Sequence, residues 1–217
     1  MSSVVMKNGK YWFFGTEAIS FEKEKNTIVL RSPNKVKNEF PDWTGYTEYL
    51  IPKYEEIDID TQGALLFIPI EGKIVLSGIQ QPEIELTPGA VFLHGAKSDK
   101  IKMRTLNDHL WSRLYIIELP KSLTEEGNFL FNELKMDENL TVYNLSESHS
   151  IYMGLYGNRI TKQYIPKHRN SLVTVINGVF EFQDRLINTR ELLLVKDEED
   201  MEFESLTENG VILIFNY

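Results

Sequence analysis

Apolar residues along this chain recur in short runs, not at helical spacing. A first series reads TIVLRS (27–32), YTEYLIP (46–52), ALLFIPI (64–70), KIVLSG (73–78), AVFLHG (90–95), DKIKMRTL (99–106) and SRLYIIEL (112–119). A second reads SIYMGLY (150–156), ITKQYIP (160–166), SLVTVING (171–178), VFEFQ (179–183), ELLLV (191–195), MEFESL (201–206) and VILIFNY (211–217). These runs are rich in β-branched and aromatic residues, and Pro88-Gly89 and Asn209-Gly210 mark turns between them. Short strands at this spacing predict an all-β sandwich or barrel. In MEFESL, alternation sends Met201, Phe203 and Ser205 one way and Glu202 and Glu204 the other. IDID (57–60) behaves alike, so Asp58 and Asp60 share the face opposite Ile57 and Ile59.

The two series also align with each other. IPIEGKIVL (68–76) lies over TVINGVFEF (174–182), which sets Gly72 on Gly178. IKMRTLNDH (101–109) lies over MEFESLTEN (201–209), which sets Leu106 on Leu206. The offset falls from 106 to 100 residues between the two pairs, so the second copy has the shorter loops. A repeat this long means a duplicated domain, not a solenoid. Residues 46–119 form the first barrel in this reading and 150–217 the second. The segment 120–149 connects them, with Ser122, Glu125 and Glu126 placed to start a short helix whose apolar face is Phe129, Leu130 and Leu134. Residues 1–45 carry Trp12, Phe13, Phe14, Phe21, Phe40 and Trp43, too many rings to leave in water, and are expected to pack on the first barrel.

Composition removes several classes of function. The chain of 217 residues has a formal charge of −9 and no cysteine. The charge opposes binding to a phosphate backbone, so no nucleic-acid partner is expected. Without cysteine there is no disulfide, thiol nucleophile, iron–sulfur cluster or cysteine-ligated zinc. No apolar run approaches the length of a membrane span and no signal pattern opens the chain, so the expectation is a cytoplasmic protein with no membrane partner. No G-x-S-x-G elbow, phosphate loop or G-x-G-x-x-G occurs.

A tandem pair of small β-barrels, each with a strand–Gly–strand centre, resembles a bicupin. The stretch 151–215, and within it VINGVFEFQDRLINTRELLLV (175–195), resembles the C-terminal domain of pirin-like proteins related to quercetin dioxygenases. The resemblance implies two tandem jelly-roll barrels of the cupin type, with the chemistry in the first. There the family template places His-x-His, a glutamate and, after Pro-Gly, another histidine around a divalent metal. Counted back from Gly72, the glutamate position holds Leu65 and the His-x-His positions hold Asp58 and Asp60. After Pro88-Gly89 the histidine position falls on Lys100, while His94 comes six residues earlier. In the second barrel the same count from Gly178 gives Ser171 for the glutamate, and Tyr164 with Pro166, or Ile165 with Lys167, for the histidines.

Three residues remain as ligand-binding candidates in the first barrel: His94, Asp58 and Asp60. Pointing inward, the two carboxylates and His94 would suit a hard cation. Pointing outward, the aspartates are solvated while Ile57, Ile59, Leu66 and Ile68 fill the core; this is the orientation expected, because a buried carboxylate needs compensation. His168 in IPKHRN reads as a hairpin turn, and His109 and His149 as loop residues without an evident partner. Gln183, Asp184, Arg185 and Arg190 read as surface ion-pair residues in preference to a polar lining. The expectation is therefore a pirin-like bicupin without its metal site and without a cofactor. It would bind a small molecule in the first barrel or act as a regulator through a protein partner or a second copy of itself. The alternative is a cupin enzyme, either a quercetinase-like dioxygenase with an irregular metal site or a metal-free isomerase.

Overall fold

The expected runs become strands throughout a computed structural model, which describes residues 5–8, 11–16, 19–32, 45–60, 63–78, 83–95, 100–106, 110–119 and 129–217. In chain order these strands are β1 Val5–Asn8, β2 Tyr11–Phe14, β3 Ser20–Glu24, β4 Thr27–Arg31, β5 Tyr46–Pro52, β6 Glu56–Asp60, β7 Ala64–Glu71 and β8 Lys73–Ser77. There follow β9 Ile84–Leu86, β10 Ala90–His94, β11 Lys100–Leu106, β12 Trp111–Leu119, β13 Phe129–Glu133, β14 Thr141–Asn144 and β15 Ser150–Tyr156. The last are β16 Ile160–Tyr164, β17 Asn170–Asn177, β18 Val179–Phe182, β19 Arg185–Asn188, β20 Leu192–Lys196, β21 Met201–Ser205 and β22 Gly210–Asn216.

The chain divides into two units, Ile19–Glu133 and Met1–Ala18 with Leu134–Tyr217. The first has a seven-stranded sheet, β13-β10-β7-β12-β5-β4-β3, and a four-stranded one, β6-β11-β8-β9. The second repeats the plan as β1-β2-β20-β17-β22-β15-β14 and β16-β21-β18-β19. Strand for strand, β10, β7, β12, β5 and β4 match β20, β17, β22, β15 and β14, and the smaller sheets match in the same way. Each unit is thus an antiparallel jelly roll, and the chain is all-β as expected.

The matched glycines occupy the same turn. Gly72 joins β7 to β8 at φ +74° and Gly178 joins β17 to β18 at φ +87°, a region that a Cβ penalises. A Cβ at Gly72 would strike the Ser112 side chain, and one at Gly178 the Thr207 hydroxyl. Leu106 pairs with Lys73, the residue after Gly72, and the Leu206 amide donates to the carbonyl of Val179, the residue after Gly178 (2.9 Å). The aligned glycines and leucines of the two copies therefore occupy matching places.

Two segments depart from the sequence reading. The strands of 1–45 divide: β2 pairs with β20 in the second unit, while β3 and β4 extend the large sheet of the first. Residues 129–133 form a strand, β13, paired along β10 from Ala90–Glu133 to His94–Phe129. Open sheet edges explain both, since β10 and β20 each leave a row of unpaired backbone groups that a distant segment can complete. Residues 33–44, which include Phe40 and Trp43, and the helix start at Ser122, Glu125 and Glu126 lie outside the described residues.

Each core lies between the two sheets of its unit. In the first, Leu65, Phe67, Phe92, Leu114 and Ile116 from the large sheet meet Ile59, Ile74, Leu76, Ile101 and Met103 from the small one. In the second, Val173, Val175, Ile212 and Ile214 meet Phe180, Phe182, Met201 and Phe203. Leu66 and Ile68 are buried, but outside that first core. This corrects their expected direction. β7 is apolar on both faces, so alternation carries no signal, and pairing with β10 and β12 turns Leu65 and Phe67 inward instead.

Candidate functional site

One row of residues crosses the end of the first barrel. On β10, Ala90 and Phe92 belong to the core, so strand alternation turns His94 inward as well. His94 is fully buried and pairs in register with Leu65 on β7, which in turn pairs with Glu118 on β12. Leu114 and Ile116 put the inward face of β12 on even positions, so Glu118 closes that face at the barrel mouth, where it is exposed. Its amide donates to the Gly45 carbonyl (3.3 Å). The imidazole and the carboxylate thus stand two strands apart with a leucine between them, about 10 Å from backbone to backbone.

Tyr49 on β5 packs against the same core, and the Glu118 carboxylate acts on its hydroxyl. Burial pushes its hydroxyl pKa up, and the Arg31 guanidinium opposes that rise. Arg31 also bonds the Thr47 hydroxyl (3.4 Å) and pairs with Glu24 (3.3 Å) and Glu22 (3.4 Å). In the second barrel the row His94–Leu65–Glu118 is replaced by Val195–Ser171–Asn216. There Asn216 is spent on structure, donating to the carbonyls of His168 (2.8 Å) and Asn170 (2.7 Å).

The two aspartates go elsewhere. Ile59 is buried and Ile57 packs on the core, so Asp58 and Asp60 face outward and are exposed. They lie across from Lys102 and Lys100 on β11, in a charged ladder where Lys102 also pairs with Glu56 (3.1 Å). His94 and the aspartates are therefore on different sheets and opposite sides of the wall, and do not converge. Replacing both aspartates by alanine should change stability by no more than about 0.5 kcal/mol each, as at ordinary surface positions. Thermal melting with and without added divalent cations checks this, and the variant should follow the parent in both.

The other sequence candidates have structural work. His149, expected to lack a partner, has its Nδ1 against the Ser148 hydroxyl (2.9 Å) and its ring 5.9 Å from that of Phe215. His168 sits in a turn whose amide donates to Asn216 (2.8 Å). Gln183 bonds the Glu202 amide (3.1 Å) and the Asp200 carbonyl (3.2 Å), and the Arg185 guanidinium lies 3.6 Å from the Tyr11 ring centroid. Arg185 therefore makes a cation–π contact where an ion pair was expected. His109 lies outside the described residues. Glu118 and Tyr49 escaped the sequence reading, although a glutamate in phase with Leu114 and Ile116 is the signal that would have marked it.

No family model matches the sequence, and no curated protein matches it. Solved structures do. The nickel(II) complex of the bacterial pirin YhhW from Escherichia coli superposes with a TM-score of 0.73 at 11% identity, covering 95% of this chain and 98% of that one. A quercetin 2,3-dioxygenase from Acinetobacter baumannii gives a TM-score of 0.65 at 13% identity, over 95% of this chain and 79% of that one. The fold is that of the pirin-like bicupins. The bicupin frame raises the question of a metal, and the described residues at the template positions do not suit one. Leu65 stands inward where the template has a carboxylate, and Asp58 and Asp60 face solvent where it has imidazoles. Among the described residues no three histidine or carboxylate groups gather as ligands. An open bicupin metal site needs several convergent donors, and His94 with a distant Glu118 falls short of that.

Proposed function

We propose that this bicupin has lost the metal chemistry of its fold and works by binding, as a small-molecule-responsive or regulatory protein of the cytoplasm. The observation that supports this most directly is Leu65. A leucine in the inward row beside His94 supplies no donor where the family template has its carboxylate. The ligand of the first barrel would be a small molecule meeting His94, Glu118 and Tyr49 at its mouth, and a protein partner or a second copy of the chain would receive the signal. Metal analysis of protein purified without chelators is the test. The expected content of iron, copper, nickel and manganese is far below one ion per chain. A full equivalent that disappears in His94→Ala would overturn the proposal.

A second reading rests on Glu118. In this reading the imidazole and the carboxylate, on either side of Leu65 in the inward row, would exchange protons with a molecule bound across the mouth, as a metal-free isomerase requires. Any such activity should be lost in both His94→Gln and Glu118→Gln. Oxygen uptake with a flavonol and added iron or copper separates this from a dioxygenase, and none is expected.

A further inference from the structure

The second barrel does not close on itself, and the opening has the walls of a binding site. β14 is the edge strand of its large sheet and β16 the edge strand of its small one. Between them lies a cleft of about 160 Å³ lined by Leu140, Val142, Tyr152, Lys162, Tyr164 and Ile165, among others. Tyr152 and Tyr164 belong to the core and form an edge-to-face pair with ring centroids 4.9 Å apart, so the floor is aromatic. Val142 is 46% exposed and Ile165 77%, so apolar side chains also stand at its rim.

Two polar groups are left over. Tyr164 is buried at 3% exposure, and the one side chain that acts on its hydroxyl as a hydrogen-bonding neighbour is Ser171, without a well-formed bond. A buried donor left unmade is costly. Burial also raises the pKa of this hydroxyl, which keeps it a donor. On the same inward face of β16, Lys162 lies directly across from Phe203, while Glu202 and Glu204 pair with its neighbours Gln163 and Thr161 on the opposite face. Among the described residues no carboxylate pairs with Lys162.

We propose that this cleft binds a one-ring aromatic carboxylate, its ring against Tyr152 and Tyr164 and its carboxylate on Lys162. Size selects the single ring. A cavity of roughly 150 Å³ holds one benzene-sized molecule, whereas drug-sized ligands occupy pockets of roughly 300 Å³ and more. The aromatic floor prefers a ring over an aliphatic acid, and the unmatched ammonium prefers an anion over a neutral arene. This site shares no residue with the first barrel and does not depend on the loss of metal there.

The test uses the intact protein, with benzoate and its neutral analogue benzamide as probes, followed by methyl and aromatic NMR signals. Benzoate should shift Leu140, Val142, Tyr152 and Tyr164 with a Kd on the order of 1 mM. Lys162→Met should weaken benzoate about tenfold while leaving benzamide within about twofold. Val142→Trp, at an exposed position where a larger ring does not crowd the core, should block both probes without lowering the melting temperature. No shift at these four residues at several times that concentration would overturn the site. Equal affinity for benzoate in the parent and in Lys162→Met would overturn the choice of ligand.

Discussion

Arg113→Ala should destabilise the first unit by roughly 3 to 5 kcal/mol, the cost of removing one partner of a buried ion pair. Glu48 is fully buried and Arg113 has a side-chain exposure of 15%, with Nε and Oε1 2.5 Å apart. Arg113 and Glu48 are close neighbours on β12 and β5, and the guanidinium also lies 5.6 Å from the Tyr115 ring centroid. Taking away the cation leaves the carboxylate without that charge in a place water does not reach. The pair itself is not a large source of stability, because both ions were dehydrated to form it. Consequently Glu48→Leu combined with Arg113→Met should recover most of the loss. Hydrogen exchange of the β5 and β12 amides reads both variants. A loss below about 1 kcal/mol for Arg113→Ala would place the pair among surface bridges instead.

Phe203→Ala should cost the second unit a similar amount, roughly 3 to 5 kcal/mol, through the cavity it leaves. Phe203 is 1% exposed and sits among Tyr156, Phe180 and Phe182, with ring centroids 5.3, 6.1 and 6.2 Å away. Three aromatic neighbours on antiparallel strands cannot all move to fill the hole. Phe203→Leu, which keeps most of the volume, should cost less than about 1.5 kcal/mol. Urea unfolding followed by tyrosine fluorescence measures both, and equal losses for the two variants would show that ring packing is not what the site supplies.

These two sites mark the difference between what alternation reveals and what it hides. Phe203 was legible, because MEFESL has charged residues on one face and apolar ones on the other. The Glu48–Arg113 pair was not, since charged residues in apolar strands read as solvent-facing until the sheet is assembled. The candidate site divides in the same way. Asp58 and Asp60 were legible as outward residues from IDID, but His94 and Glu118 were not legible as a pair, because they lie 24 positions apart in sequence and β7 stands between their strands.

By itself, then, the sequence determined the all-β class, the duplication and its two glycine turns, and the inward faces of IDID and MEFESL. Those features are local: a period of two, a residue tolerating positive φ, a repeated spacing. Only the tertiary structure decided the rest. It chose which face of β7 holds Leu65 and which holds Leu66, because both faces are apolar and pairing alone breaks the tie. It gave β2 and β13 their places on the edges of β20 and β10, because an unpaired edge is satisfied by whichever segment reaches it. It also left β14 and β16 apart over two tyrosines, an opening made by strands that meet only after the sheets have formed.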